Sequence, residues 1–333
     1  MNILVTGSAG FIGAPLAYDL LNMGHRVIGI DSYINSNPEK TLKLEINFKD
    51  KFKFFKLDLS SNIKILDSIF NEYKPDLVIH LAALKSVQES IVNPDLYLVN
   101  NIESTRNIIK IMNLHSCKKI IYSSSAAVYG NQDTQPIVEN AVCRPISPYA
   151  ESKLTCEELI KNAANEGQID GVSLRYFNPI GSHSSNLFKE QLIKKTGTIM
   201  QEIVKVALKK NKSLKIHGNS YSTKDGTCER DFIHIDDLLG AHLKSIDFIN
   251  SFEGYDTFNV GTGNPVTILN LTESFIKYNK RLINYEFIND RPGDIASNYA
   301  DTTKINKKMR WKSKKGLKEM VVDSWIPYSL EEK

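Results

Sequence analysis

The chain opens on Ile3-Leu4-Val5-Thr6-Gly7-Ser8-Ala9-Gly10-Phe11-Ile12-Gly13, and the reading of these eleven residues decides the fold. The apolar run at 3–5 predicts a buried strand, the glycines at 7, 10 and 13 a tight turn, and the apolar spacing over 11–23 a helix. A strand, a glycine turn and a helix in that order can receive a pyrophosphate, because glycines let backbone approach the phosphates and a helix N-terminus favours their charge. The next β-branched run, 27–30, ends in Asp31, eighteen residues beyond Gly13. A carboxylate there can bond both ribose hydroxyls and repels a 2′-phosphate, which favours NAD over NADP.

Working outward, further apolar runs occur at 52–57, 77–81, 120–123 and 172–175, with helical patterns at 63–73, 101–113 and 148–164 between them. The alternation predicts an α/β fold: a doubly wound, Rossmann-like parallel sheet covered by helices on both faces. After Arg175 the texture changes to longer irregular stretches, 181–186 and 218–226, with helices near 197–210 and 236–248. This predicts a smaller mixed α/β substrate-binding domain over 177–333 beside a dinucleotide-binding domain over 1–176. Residues 236–260 are expected to return to the first domain, since 257–260 reads as a strand at the sheet edge.

The 333 residues suit two domains at ~150 residues each. A hydrophobic content of 41% with 24% charge is ordinary for a globular chain and argues against long disorder. The net charge of +4 comes from 42 basic and 38 acidic residues mixed along the chain, which argues against nucleic acid as a partner. The densest basic run, 304–318, reads as a solvated face. Four cysteines without metal-ligand spacing and an N-terminus unlike a signal peptide suggest a reduced, cytoplasmic protein with no metal site. No apolar run reaches the ~20 residues that span a bilayer, so no membrane insertion is expected.

Tyr149 and Lys153 lie four residues apart in the helical stretch 148–164 and so share one face. A phenol titrates near 10. A cation at ~4 Å in an effective dielectric of ~20 supplies about 4 kcal/mol, enough to bring it to ~7, and a bound nicotinamide cation adds to the effect. Ser123-Ser124-Ser125 ends the fifth strand at the sheet's carboxyl edge, where Ser125 can bond the same substrate hydroxyl as Tyr149. Asp58, after the third strand, suits either an adenine contact or a helix cap.

The GxxGxxG spacing resembles the short-chain dehydrogenase/reductase superfamily, and nearly the whole chain resembles the UDP-glucose 4-epimerase family. The matching stretches are Val5-Thr6-Gly7 to Ile12-Gly13, His80-Leu81-Ala82-Ala83-Leu84-Lys85-Ser86-Val87, Ser123 to Gly130 and Ser147-Pro148-Tyr149 to Lys153. They continue with Arg175-Tyr176-Phe177-Asn178-Pro179-Ile180-Gly181 and Asp225-Gly226-Thr227 to Arg230-Asp231-Phe232-Ile233-His234. The resemblance implies a homodimeric, NAD-dependent 4-epimerase acting on a UDP-sugar, with Ser125, Tyr149 and Lys153 catalytic. It implies that Gly7, Gly10, Phe11, Ile12, Gly13, Asp31, Asn35, Ser36, Asp58, Leu59, Leu81, Ala82, Lys85 and Asn100 line the cofactor, together with Tyr149, Lys153, Tyr176 and Phe177. For the substrate it implies Lys85, Ser125, Tyr149, Asn178, Thr198, Ile199, Lys215, Ile216, His217 and Phe232, with Arg230 and Arg291 on the diphosphate and Asp294 on the ribose.

Two positions depart from that pattern. Thr198 stands where the family has a uridine-side asparagine. Asn298 stands where it often has a tyrosine over the hexose pocket, which leaves room for an N-acetylated sugar. UDP-glucuronate and UDP-pentose epimerases are alternatives that the residues separate poorly, although Leu84-Lys85-Ser86-Val87 favours the glucose/galactose type. A sugar-nucleotide 4,6-dehydratase needs an acid/base carboxylate pair after the serine strand, where this chain has Ala126-Ala127. A non-catalytic NAD-binding regulator is disfavoured because Ser125, Tyr149 and Lys153 are all present.

Overall fold

The computed structural model describes residues 1–192, 197–290 and 294–330. They form two compact units: Met1–Gly130, Val142–Arg175 and His242–Phe258 make the first, and Asn131–Ala141, Tyr176–Ala241 and Asn259–Lys333 the second.

The first unit follows the strand and helix alternation. Its elements begin β1 (Asn2–Thr6), α1 (Gly13–Asn22), β2 (Arg26–Asp31), α2 (Glu39–Asn47), β3 (Phe52–Lys56), α3 (Ile63–Tyr73) and β4 (Leu77–His80). They continue with α4 (Val87–Val92), α5 (Pro94–Leu114), β5 (Lys119–Ser125), α6 (Pro148–Asn165) and β6 (Asp170–Tyr176). The chain lays β2 and β3 on one side of β1, then crosses to lay β4, β5 and β6 on its other side. That reversal beside β1 is the switch point at which doubly wound sheets open a crevice for a ligand. The register is parallel, Thr6 facing Ile30 on β2 and His80 on β4.

Burial explains the arrangement. All four residues of β4 are buried, as a strand covered on both faces requires. Leu4, Ile28, Val78 and Ile120 from successive strands pack with Leu66 and Phe70 of α3 and with Ile108 and Met112 of α5. The spacing of Leu66, Ile69 and Phe70 turns one face of α3 to this core. Helix α5 starts seven residues earlier than the pattern over 101–113 predicts, because Pro94 occupies its first position, where a fixed φ favours the helix and no amide hydrogen is needed.

In the second unit come β7 (Asn178–Ile180), α7 (Ile199–Ala207), β8 (Leu214–His217) and β9 (Glu229–His234). Then α8 (Ile235–Ile249) and β10 (Tyr255–Val260) lead back, β10 taking the edge of the seven-stranded sheet beside β6. The remaining elements are β11 (Pro265–Thr267), α9 (Ile268–Asn279), β12 (Tyr285–Ile288), β13 (Ser297–Asn298), α10 (Thr303–Met309) and α11 (Leu317–Ser329). Strand β9 is the hub, pairing with β7, β11 and β13, while β8 and β12 form a separate parallel pair. Ile203 of α7, Phe275 of α9 and Trp325 of α11 share the core, the last two rings meeting edge to face at 5.9 Å. None of the described helices is long and apolar enough to cross a membrane.

Candidate active site

The glycine turn is set by backbone crowding. Gly7 has φ +69°, and a Cβ there would stand 2.9 Å from the Ala82 amide nitrogen, so only glycine suits the position. A Cβ on Gly13 would collide with the Gly7 carbonyl oxygen. Gly10 closes the turn by donating its N–H to that oxygen at 3.0 Å. Phe11 and Ile12 carry the chain into α1, whose first turn has neither a side-chain cap nor an acidic residue. Helices α4, α6, α7 and α9, by contrast, are each capped by a Ser or Thr hydroxyl. An uncapped N-terminus behind a glycine turn offers its amides and its dipole to an anion.

Asp31 ends β2 with its carboxylate fixed by three donors: Ala9 N at 3.0 Å, Tyr33 N at 2.9 Å and Ser36 Oγ at 2.8 Å. Asn35 is exposed beside it. Asp58 accepts from the amide and hydroxyl of Ser60 at 2.9 and 2.7 Å, which shapes the turn before α3. Leu59 is buried, and its carbonyl accepts from Asn107.

Thr6 carries a hydrogen-bond chain that the sequence did not single out. Its hydroxyl oxygen accepts from the amides of Leu81 and Ala82, at 3.1 and 3.0 Å, and therefore donates to His80 Nδ1 at 2.7 Å. The proton of His80 then sits on Nε2 and is donated to Thr105 Oγ1 at 3.1 Å. Burial pushes the imidazole down to about 3, so it stays neutral. Asn101 ties the same loop from α5, bonding both the amide and the carbonyl of Leu84 and reaching Ser152 Oγ on α6. Lys85 is exposed on the loop, and Asn100 is half-buried.

The end of β5 meets α6 through three consecutive serines. Ser123 accepts from Lys153 Nζ at its carbonyl, at 2.7 Å. The Ser124 hydroxyl donates to Glu157 Oε1 at 2.5 Å. Ser125 shares a side-chain hydrogen bond with Tyr149 and also accepts from Ala127 N at 3.2 Å. Lys153 is only 3% exposed and lies over the Tyr122 ring at 4.9 Å, and burial pushes its ammonium down to about 8. Burial likewise holds the Tyr149 phenol above its ordinary value, with the Ser125 hydrogen bond opposing. The lowering expected from a neighbouring cation is therefore not what these side chains produce by themselves: desolvation outweighs it, and Lys153 spends its nearest contact on β5.

In the second unit, Tyr176 and Phe177 are buried, and the Phe177 amide bonds Val260 O. Asn178 Nδ2 donates to Asp231 O at 3.1 Å across the pairing of β7 with β9. Arg230 NH1 donates to the carbonyls of Glu229 and Ile295, both at 2.8 Å, and NH2 to Asp294 Oδ1. Strand β13 places Asn298 opposite Arg230. Thr198 is the N-cap of α7, accepting from Gln201 N, and Ile199 begins that helix. Phe232 and Ile216 are core residues, Lys215 is exposed, and His217 bonds Asn289 O. The motif residue Asp225 braces Thr227 and Thr267. Arg291 lies outside the described residues. Among the described residues no cluster of three or more His, Cys, Asp or Glu could hold a metal.

A model of the family described as GDP-mannose 4,6 dehydratase matches residues 4–324. The UDP-glucose 4-epimerase of Bacillus subtilis (strain 168) is 38% identical over 329 residues, covering 98% of this chain and 96% of the relative. The crystal structure of UDP-glucose-4-epimerase from Stenotrophomonas maltophila, with bound NAD and formylated UDP-arabinopyranose, matches at a TM-score of 0.95 and 33% identity, covering 100% of this chain and 99% of that one. For UDP-glucose 4-epimerase from Bifidobacterium longum, in complex with NAD+ and UDP, the TM-score is 0.93 at 36% identity, with 99% and 98% covered.

Proposed function

We propose, from the premise that this chain belongs to the GDP-mannose 4,6 dehydratase family and is an NAD-dependent UDP-sugar 4-epimerase, that it interconverts UDP-glucose and UDP-galactose. The observation that carries this reading is the meeting of α6 with the carboxyl end of β5, where Lys153 Nζ donates to Ser123 O at 2.7 Å and the Ser125 hydroxyl favours the ionised phenol of Tyr149 against its burial. It unites two hydroxyls at the sheet edge where an alcohol can be bound and deprotonated.

The residues fit the cofactor. The crowded turn at Gly7 and Gly13 with the uncapped start of α1 suits the diphosphate, and the braced carboxylate of Asp31 suits an unphosphorylated ribose. NAD, when bound, supplies a hydride acceptor and a positive charge. With the cofactor in place, Tyr149 would take the proton of the hydroxyl on carbon 4, and Ser125 would hold the same oxygen. Tyr149 would give the same proton back to the oxygen on carbon 4 when the epimer forms, so the protein itself gains and loses nothing over one turnover. Lys153, packed under β5, orients the cofactor side of the site and adds positive charge. Within the second unit, Arg230, Asp294 and Asn178 are the residues that would hold the nucleotide.

Elimination of water is disfavoured because Ala126 and Ala127 offer no carboxyl group after Ser125. A second reading, that the N-acetylated UDP-hexoses are also substrates, is favoured by Asn298, which β13 holds beside Arg230 with a side chain far smaller than a tyrosine. The exposed apolar residues Ile91 and Val92 of α4 and Leu96 and Val99 of α5 support a homodimer, which light scattering in solution would test.

The test of the reaction is purified protein supplied with UDP-galactose. UDP-glucose should form without added NAD, and Tyr149→Phe should turn over ~10²-fold more slowly with unchanged UDP affinity. A fully active Tyr149→Phe would remove the acid/base assignment. Conversion of UDP-xylose or UDP-glucuronate alone would place the enzyme with the pentose or uronate epimerases.

A further inference from the structure

The three serines ending β5 pair one for one with a single stripe of α6. Ser125 bonds Tyr149, Ser123 bonds Lys153 and Ser124 bonds Glu157, and the three partners stand at successive steps of four residues. The first two pairs belong to the proposed chemistry. The third ends in a carboxylate that touches no substrate group in that scheme and is nevertheless buried.

Glu157 is 3% exposed and Arg175, at the end of β6, is 6% exposed. They form a two-pronged ion pair, Nε to Oε1 at 2.9 Å and NH2 to Oε2 at 2.6 Å, while Oε1 also accepts the Ser124 hydroxyl. The guanidinium lies 4.8 Å from the centre of the Tyr129 ring, and Tyr129 closes the 3-10 turn Ala126–Tyr129 that begins directly after Ser125. One ion pair thus grips the strand before Ser125, the turn after it, the helix carrying Tyr149 and the strand that leads to Tyr176. A buried ion pair is a poor means of gaining stability, since well-packed apolar side chains of similar volume do as well or better. A fixed, directional pair is suited to holding geometry instead.

We propose that Glu157 and Arg175 are positioning residues for the reaction: through Ser124 and Tyr129 they fix Ser125 at hydrogen-bonding distance from Tyr149. The inference rests on Tyr149 being the acid/base group. It makes the pair part of the catalytic apparatus without contact to substrate or cofactor.

The test uses the full chain with its cofactor. Glu157→Leu with Arg175→Met replaces both charges by apolar groups, and Ser124→Ala removes only the link to β5. We expect the double variant to melt near the wild-type temperature and to retain NAD and UDP affinity, while kcat falls ~10²-fold, the loss typical of an active site displaced by about 1 Å. Ser124→Ala should lower kcat ~10-fold with KM unchanged. Placed in a Tyr149→Phe background, Ser124→Ala should cost nothing further, because it acts through the phenol. Wild-type kcat in either variant, or a full additional loss in the Tyr149→Phe background, would overturn the proposal. Should the double variant fail to fold, Ser124→Ala and its cycle with Tyr149→Phe decide alone. An active Tyr149→Phe would instead discard the underlying reading of Tyr149, which separates the two failures.

Discussion

Arg230 and Asp294, both expected to contact the substrate, are bonded to each other, NH2 to Oδ1 at 2.5 Å, with only 17% and 19% of their side chains exposed. The guanidinium is further fixed by the carbonyls of Glu229 and Ile295. A cation held this way keeps its direction, and its carboxylate partner limits how strongly it pulls on a diphosphate.

The two residues should therefore act as a unit. Arg230→Met and Asp294→Ala should each weaken UDP binding by about tenfold or more, and the double variant should be no worse than the poorer single one. Calorimetric titration with UDP measures this. Fully additive losses would show that each residue contacts the nucleotide independently.

Lys153 predicts a pH dependence of stability. Its folded value, about 8, lies below the ordinary 10.5 because of burial. Between those values the unfolded chain holds a proton that the folded chain lacks, so this group's penalty is fully present below pH 8 and fades as pH rises toward 10.5. Lys153→Met should be more stable than wild type at pH 7, by on the order of 2 kcal/mol, and the gap should narrow by pH 10. Urea unfolding at the two pH values reads the difference directly. An equal gap at both would mean that the ammonium is not strained by burial.

The glycine turn predicts loss of cofactor from a single methyl group. In Gly13→Ala the new Cβ meets the Gly7 carbonyl oxygen, and the turn must shift to relieve it. The purified variant should release far less NAD on denaturation than wild type, with a lower melting temperature. A variant carrying full NAD content would show that the turn tolerates movement.

Much of this was legible in the sequence, and the rest was not, for physical reasons. The sheet could be read because buried parallel strands are continuous apolar runs, and the turn because close backbone approach demands glycine. Tyr149 and Lys153 could be read because a helix repeats its face every four residues. Glu157 lies one step further on that stripe, yet its partner Arg175 is on another strand and Ser124 thirty-three residues back, so no local pattern joins them. The same holds for Thr6, bonded to His80 seventy-four residues away, and for Asn101, bonded to Ser152 fifty-one residues away. Residues 131–141 join the second unit through a bridge from Ile137 to Ala300, a pairing with no sequence mark at all. The helix Glu39–Asn47 leaves no apolar period in the sequence because it buries only Lys40, Thr41 and Leu44.

Asn298 predicts substrate range. During rotation an acetamido group on carbon 2 sweeps past the sugar pocket, and a tyrosine ring would obstruct it. Asn298→Tyr should cut turnover of UDP-N-acetylglucosamine and UDP-N-acetylgalactosamine far more than that of UDP-glucose and UDP-galactose, by about tenfold or more. Equal effects on both pairs, or a wild-type enzyme inert toward the N-acetylated sugars, would reject the second reading and leave the first intact.

The central claim is that the hydrogen removed from carbon 4 of the UDP-sugar is returned to the same carbon of the same molecule. UDP-galactose carrying deuterium at carbon 4 tests this most directly, followed by mass spectrometry of the UDP-glucose formed in ordinary water. Hydride does not exchange with solvent, so the account predicts that the product keeps its deuterium at carbon 4 and that no NADH accumulates in step with it. Product in which carbon 4 carries solvent hydrogen, or NADH formed one for one with product, would contradict it.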